Sequence, residues 1–529
     1  MIGVISKSGQ TRAIEELFEL FKTPWELYVQ GRAYDVVVAT TDDVPEVDAP
    51  LLVSYGAGRK SSDPLDGIAL DPIHRDASIE RAAGATIRVG YDLFDEVDRL
   101  LSAGQPVEHA HVPALDLHIA MLRQWIVDAG LPLLEVTPVP AAHSFFACLT
   151  HDIDFVGIRR HRFDHTMWGF LYRSTIGTIR NLVRGRLSLS QALRAWRAAV
   201  SLPFVYLGWA KDFWDPFEWY LQVERNLPAT YYLIPFKGRP GDRVAASGAA
   251  RRATAYDVSD PDLKPWIDTL VASGCEVGVH GIDAWHSVDK GRDELERVAR
   301  VTGLSHRGIR MHWLLRDAGT PAVLERAGYA YDATAGYNET VGYRAGTTQV
   351  FRPAGVETLL ELPLHIQDGA LFYPQRLDLS EPEAHARCGE LIAHALAHGG
   401  VLTVLWHDRS HGPERFWGNF YIRLVDALKS VGATFATAEQ VVAWFRARRQ
   451  IRFDRVEHAW GTRIRLRSGA AAVCPPMRVV LHNAGAHGDT DVSWNGEVPL
   501  TFEIGRPRVA PSRTAPARFE DLGPVTAAS

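Results

Sequence analysis

The chain has 529 residues, 46% hydrophobic and 23% charged, an ordinary globular composition too long for one core, so two to four units are expected. A formal net charge of −6 argues against a nucleic-acid partner. Four scattered cysteines (Cys148, Cys275, Cys388, Cys474) with no Cys-x-x-Cys pair argue against a disulfide framework or a structural zinc knuckle. The opening Met-Ile-Gly-Val-Ile-Ser-Lys-Ser lacks a signal-peptide pattern, and no stretch approaches ~18 uninterrupted apolar residues. A cytoplasmic protein is expected, any membrane contact being peripheral.

Residues 1–140 predict a small α/β domain of unassigned role. Ile14 to Phe21 has helical apolar spacing, Tyr34 to Ala39 carries the strand-like run Asp-Val-Val-Val, and Pro50 to Ser54 reads as a second strand. Neither strand runs into a glycine-rich phosphate loop, so no nucleotide site is indicated. Leu115 to Ala129 returns to helical spacing and stops at Gly130. The Pro-rich stretch from Pro132 to Pro140 then reads as a linker or a lead-in to the next domain.

Over residues 141–450, short apolar runs alternate with helical segments: Phe145–Leu149, Tyr231–Ile234, Val277–Val279, Ile309–Met311, Leu359–Leu364 and Val401–Trp406. Asp260-Pro261 and Thr320-Pro321 read as helix starts, the first opening an apolar stripe from Leu263 to Val271. This order predicts an α/β parallel sheet or barrel. Asp152 and Asp154, His280, His312, His365 and His407 follow or close the apolar runs. In a β/α barrel the C-terminal strand ends meet on the face that carries the chemistry.

The stretch Leu149-Thr-His-Asp-Ile-Asp154 is the most informative. Strand side chains alternate, so Asp152 and Asp154 share one face while His151 and Ile153 share the other. Two such carboxylates repel and lose hydration, a cost that a metal ion or a catalytic task offsets. Further on, Glu276-Val-Gly-Val-His-Gly-Ile-Asp-Ala-Trp-His-Ser places His280 just after a strand and His286 on the segment that follows. Two imidazoles and one carboxylate form a usual catalytic zinc set with a position left for water. His161 and His165 have helical ligand spacing but lie among Arg159, Arg160 and Arg162, and His394 and His398 suit a helix C-terminus.

Residues 155–225, between the first and second strands, exceed an ordinary βα connection. Rich in Trp and Arg, this insertion predicts an extra helical layer on the barrel, with a cover for a polymeric substrate or a membrane-touching surface as alternatives. Strand candidates at Arg452–Leu466, Met477–His482 and Val492–Ile504 predict a small β-sandwich-like domain over 451–505. A disordered tail over 506–529 is expected to follow.

The order of these motifs resembles the polysaccharide deacetylases of carbohydrate esterase family four, the NodB homology domain, over roughly residues 145 to 410. The elements that carry the resemblance are an Asp-x-Asp strand end, a His…His-Ser segment, Gly-Ile-Arg-Met-His-Trp and a late Leu-Trp-His-Asp. It implies a distorted, TIM-like, seven-stranded β/α barrel between the small N-terminal α/β domain and the C-terminal β-rich domain. It also implies a metal-dependent hydrolase that removes acetyl groups from a sugar or glycan, using one divalent ion, preferably zinc.

By that resemblance Asp152 matches the catalytic base and Asp154 the metal carboxylate, although the family's aspartates are adjacent. His280 and His286 match the metal histidines at a longer spacing than usual. His312, where the family has proline, rivals His286 as third ligand. Arg310 looks like the arginine that orients the base, the Trp313 N–H like an oxyanion donor, and His407 like the general acid, tuned by Asp368. Two other functions fit the same features: a cyclic-amide or ureide hydrolase, and a non-catalytic glycan-binding or assembly protein.

Overall fold

The structure, a computed structural model, describes residues 1–41, 44–56, 68–69, 78–82, 86–242, 254–303, 308–458, 461–470, 472–483 and 488–505. The expected tail over 506–529 lies outside the described residues. The described residues form a mixed α/β fold built on four sheets.

The N-terminal sheet has five parallel strands (Trp25–Leu27, Ile2–Ile5, Val36–Ala39, Leu51–Tyr55 and Thr86–Val89), extended antiparallel by Ser78–Ala82 and Ile68–Ala69. Its central strand, Val36–Ala39, is buried along its whole length, as a parallel strand covered on both faces must be. Helices Thr11–Leu20 and Leu93–Ser102 pack their apolar faces into this core. Helix Ala114–Asp128 ties the unit to the rest of the chain. Its buried Asp116 accepts from the Thr348 N–H and hydroxyl, both at 2.9 Å, and from the Thr347 hydroxyl, with His394 Nε2 at 3.1 Å.

The central sheet is parallel throughout, in the order Leu360–Glu361, Tyr331–Asp332, Gly308–Met311, Glu276–Gly281, Ala229–Leu233, Phe146–Ile153, Val401–Leu405, Ile366–Gln367, and Thr434–Phe435 also pairs with Phe146–Ile153. Among the described residues it is a curled parallel half-barrel of nine short strands, consistent with the distorted deacetylase-type barrel expected from sequence, for which seven strands were anticipated. Phe145, Ala147, Leu149 and Ile153 join the core beneath the outer helices, whereas Phe146 and Cys148 face a second core with Val441, Trp444 and Phe445 of helix Ala438–Arg449. Thr150 and Asp152 continue this second face.

Two expected boundaries move. Pro132–Pro140 is not a linker: Leu133–Pro140 is a strand paired antiparallel to Met477–His482. With Thr490–Trp494 it forms one three-stranded sheet, and Arg452–His458, Gly461–Arg467 and Leu500–Gly505 form another. The proline-rich sequence masked the strand because its prolines lie near one end of a ladder, where a missing donor is tolerated. The helix expected from Asp260-Pro261 starts at Lys264, with Pro265 in its first turn. Cys148, Cys275 and Cys388 are buried thiols, and no described helix is long and apolar enough to cross a membrane.

Candidate metal centre at the strand ends

Thr150 and Asp152 sit on one face of their strand, and the buried Arg310 holds both. Its Nη1 donates to Thr150 Oγ1 at 2.7 Å and to Asp152 Oδ1 at 3.1 Å, while Nε donates to the Ala333 carbonyl at 2.9 Å. The guanidinium also lies 4.7 Å from the centre of the Tyr232 ring. A guanidinium clamped by two strands and a ring has little rotational freedom, so it sets the direction of the Asp152 carboxylate. His151 points the other way, its ring nitrogens 2.9 Å from the Trp406 carbonyl and 2.8 Å from Glu224 Oε1.

Just beyond that strand, Asp154 meets two imidazoles. Its Oδ1 lies 3.3 Å from His280 Nε2 and 3.6 Å from His312 Nε2. His280 donates from Nδ1 to the Arg310 carbonyl at 3.0 Å, which turns the lone pair of Nε2 toward Asp154. Burial lowers His312 to about 4, so this imidazole is neutral at pH 7. Burial alone would raise the Asp154 carboxyl, but the His280, His312 and His407 rings outweigh it and hold the group well below the usual carboxylate range. Asp154 Oδ1 is buried and accepts no hydrogen bond from any described residue.

An orphaned carboxylate oxygen and two imidazole nitrogens, all within 4.8 Å of one another, are a donor set that fits a divalent cation. His312 joins this group, and His286 does not. His286 lies in a separate group, 3.0 Å from Asp242 and 3.8 Å from Asp283, where Lys290 already pairs with both carboxylates at 2.6 and 3.2 Å. His312 reaches the centre through an unusual turn: Trp313 and Leu314 have φ of +65° and +51°, costly for bulky residues and typical of strain held at functional positions.

His407, after the Val401–Leu405 strand, rests on the buried Asp368. The imidazole Nδ1 donates to Asp368 Oδ1 at 2.6 Å, and the His407 N–H donates to Oδ2 at 2.9 Å. The Ser410 hydroxyl donates to the same carboxylate. Burial by itself would lower this histidine, yet the charge and hydrogen bond of Asp368 raise it to about 10. His407 is therefore an imidazolium at neutral pH, and its Nε2 has no hydrogen-bond partner among the described residues.

His365, grouped with the other strand-end histidines by its position after Leu364, belongs to the packing. It is buried, with Nε2 3.2 Å from the Thr347 carbonyl and Nδ1 accepting from the Thr403 N–H at 3.3 Å. Thr150 and Asp408 escaped the sequence reading. Asp408 accepts from the N–H groups of Phe155 at 2.6 Å and Val156 at 3.1 Å, pinning the chain as it leaves Asp154. Its signal was the His-Asp pair closing an apolar run. Burial and the nearby Asp154 charge raise it to about 6.

No protein-family model matches the sequence, and no curated protein matches it. Solved structures do align. A carbohydrate deacetylase, Agd3, does so with a TM-score of 0.38 and 9% identity, over 95% of this chain and 98% of its own. Puue allantoinase aligns at 0.35 and 12%, over 58% and 92%. A family 4 acetyl xylan esterase from Clostridium thermocellum aligns at 0.24 and 13%, over 56% and 90%. Likenesses this weak decide neither reaction nor substrate.

Proposed function

We propose that the protein is a divalent-metal-dependent hydrolase that removes acetyl groups from a sugar or glycan. The observation that carries this reading is the grouping of a cation-ready triad, a separately oriented carboxylate and an imidazolium at neighbouring strand ends. Asp154, His280 and His312 would hold the ion. A bound divalent ion, zinc by the chemistry of the donors, would supply Lewis acidity for an acetyl carbonyl and for a water molecule.

Asp152 is the residue suited to receive the water proton. Arg310 occupies its Oδ1 and leaves Oδ2 on the His280 side, 3.8 Å from Nε2. Its directed lone pairs, rather than flexibility, would contribute the typical ~10²–10⁴-fold of a general base. His407, protonated through Asp368, would give its Nε2 proton to the departing amine or alkoxide as the carbon–nitrogen or carbon–oxygen bond breaks. The water proton passes to Asp152 and the leaving group takes its proton from His407, so the proton count closes.

The test is acetate release from acetylated mono- and oligosaccharides by metal-loaded protein, compared with Asp152→Asn. Acetate release lost in that variant supports the reading. Hydrolysis of cyclic amides without acetate release would move the assignment to the ureide class, and saccharide binding with no turnover would make the protein a glycan binder.

A further inference from the structure

The 155–225 insertion presents a surface unlike the rest of the protein. Twelve of the twenty exposed large apolar side chains among the described residues fall between Phe163 and Trp209. They are ordered. Trp168, Tyr172, Ile176, Ile179 and Val183 follow helical spacing along the continuous stretch His165–Val183, and Val183 is 82% exposed. Leu189, Leu193, Val200 and Phe204 form a second such stripe on helix Leu189–Tyr206, continued by Leu207 at its C-terminal cap. Burial of Ala192, Ala195, Ala198, Leu202 and Val205 on the same helix shows that its packed face is satisfied without that stripe.

Charge names the partner. Between residues 165 and 209 stand Arg173, Arg180, Arg184, Arg186, Arg194 and Arg197, with no aspartate or glutamate, in a chain whose net charge is −6. Arg180, Arg184 and Arg197 are exposed and make no ion pair with any described residue. A second copy of this chain would set arginine against arginine. A nucleic acid would not use aliphatic stripes. An anionic bilayer surface takes both, apolar side chains into the acyl boundary and guanidinium groups among the headgroups.

The insertion also stands beside the candidate site. It leaves the sheet at Asp154, its first residues are held by Asp408, and Arg194 lies over the Phe416 ring at 5.2 Å in the loop that follows His407. We infer that the insertion docks the protein on an anionic membrane surface and that its substrate is an acetylated glycan carried at that surface. The second half of this inference rests on the proposed deacetylase reading; the docking does not.

The experiment is vesicle flotation of the full chain with phosphatidylcholine alone and with equimolar phosphatidylglycerol, at low and high salt. Flotation is expected with the anionic vesicles only and weakens with salt. Replacing Arg180, Arg184 and Arg197 together by Gln lowers partitioning by about 10²-fold, at ~1 kcal/mol per basic residue near the surface. Replacing Leu193, Val200 and Phe204 together by Ser abolishes it. Protein that stays at the bottom with both vesicles, floats equally with neutral ones, or floats unchanged in both variants overturns the docking. So does a dimer in light scattering that the Ser variant dissociates. Acetate release from a soluble acetylated sugar, measured on the same variants, separates the two claims: flotation without any acetate release leaves the docking standing and sinks the reaction.

Discussion

The Nδ1 of His280 donates to the carbonyl of Arg310 at 3.0 Å, so the strand that supplies the clamp on Asp152 also fixes which nitrogen of His280 faces Asp154. One residue thus orients two functions: its guanidinium directs a carboxylate and its carbonyl sets a tautomer. Arg310 is the most constrained member of the site.

Replacing Arg310 by Met is expected to leave Asp152 buried without its partner. The cost is about 3–5 kcal/mol, the range for breaking a buried pair. Arg310→Lys is expected to recover only part of it, because an ammonium cannot reach Thr150, Asp152 and the Ala333 carbonyl at once. Urea unfolding measures both; a Met variant as stable as the parent would show that the clamp contributes nothing.

Metal binding is expected to discriminate the two histidine groups. His312→Ala and His280→Ala are expected to weaken binding of a zinc-like ion by more than about 10²-fold, beyond the range for outer-shell partners. His286→Ala should leave affinity unchanged, because its nearest carboxylates already pair with Lys290. Titration calorimetry with elemental analysis checks this, and a His286→Ala protein that loses its metal reverses the assignment. Chelation of loaded protein should also lower the melting temperature, since a ligand bound only to the native state stabilises it.

The Asp368–His407 pair predicts an alkaline limb. His407 is raised from 6.5 to about 10 in the folded protein, so the stabilisation that comes from its protonation is complete below about 6.5, as long as Asp368 stays ionised, and disappears as pH rises through 10. Turnover that needs the imidazolium should fall over the same upper range, and Asp368→Asn should shift that limb toward neutrality. A pH profile of kcat/KM that is identical in the Asn variant would remove His407 from the acid role.

Gly308 begins the Arg310 strand, and a Cβ there would lie 2.1 Å from the Tyr331 ring carbon and hydroxyl. That ring is buried, and its hydroxyl donates to Glu276 at 2.5 Å. Gly308→Ala is expected to cost about 1–3 kcal/mol as an overpacked core position. Thermal unfolding reads the cost; a neutral substitution would mean the ring moves freely.

The strand ends were legible because chemistry interrupts hydrophobicity there. Asp152, Asp154, His280, His312 and His407 each follow or close an apolar run and Arg310 lies within one, and the fold brings them to adjacent ends of one parallel sheet. His365 shares that local pattern yet is core, since a strand-end position does not say whether the ring turns toward the site or toward Thr347 and Thr403. His286 was drawn in by the His…His-Ser segment despite its long spacing to His280, while the second imidazole beside Asp154 came from the next strand.

Residue pattern alone determined the α/β alternation, the shared face of Asp152 with the carboxylate two positions on, the helical insertion and the reach of polar groups at strand ends, because all of these depend on local periodicity and side-chain type. Only tertiary structure decided which imidazoles meet Asp154, that Asp368 charges His407, how the parallel sheet curls into a half-barrel, and that Leu133–Pro140 pairs with Met477–His482. Those outcomes depend on which distant segments share a register and on what burial does to a charge, and neither quantity is written in any single stretch of the chain.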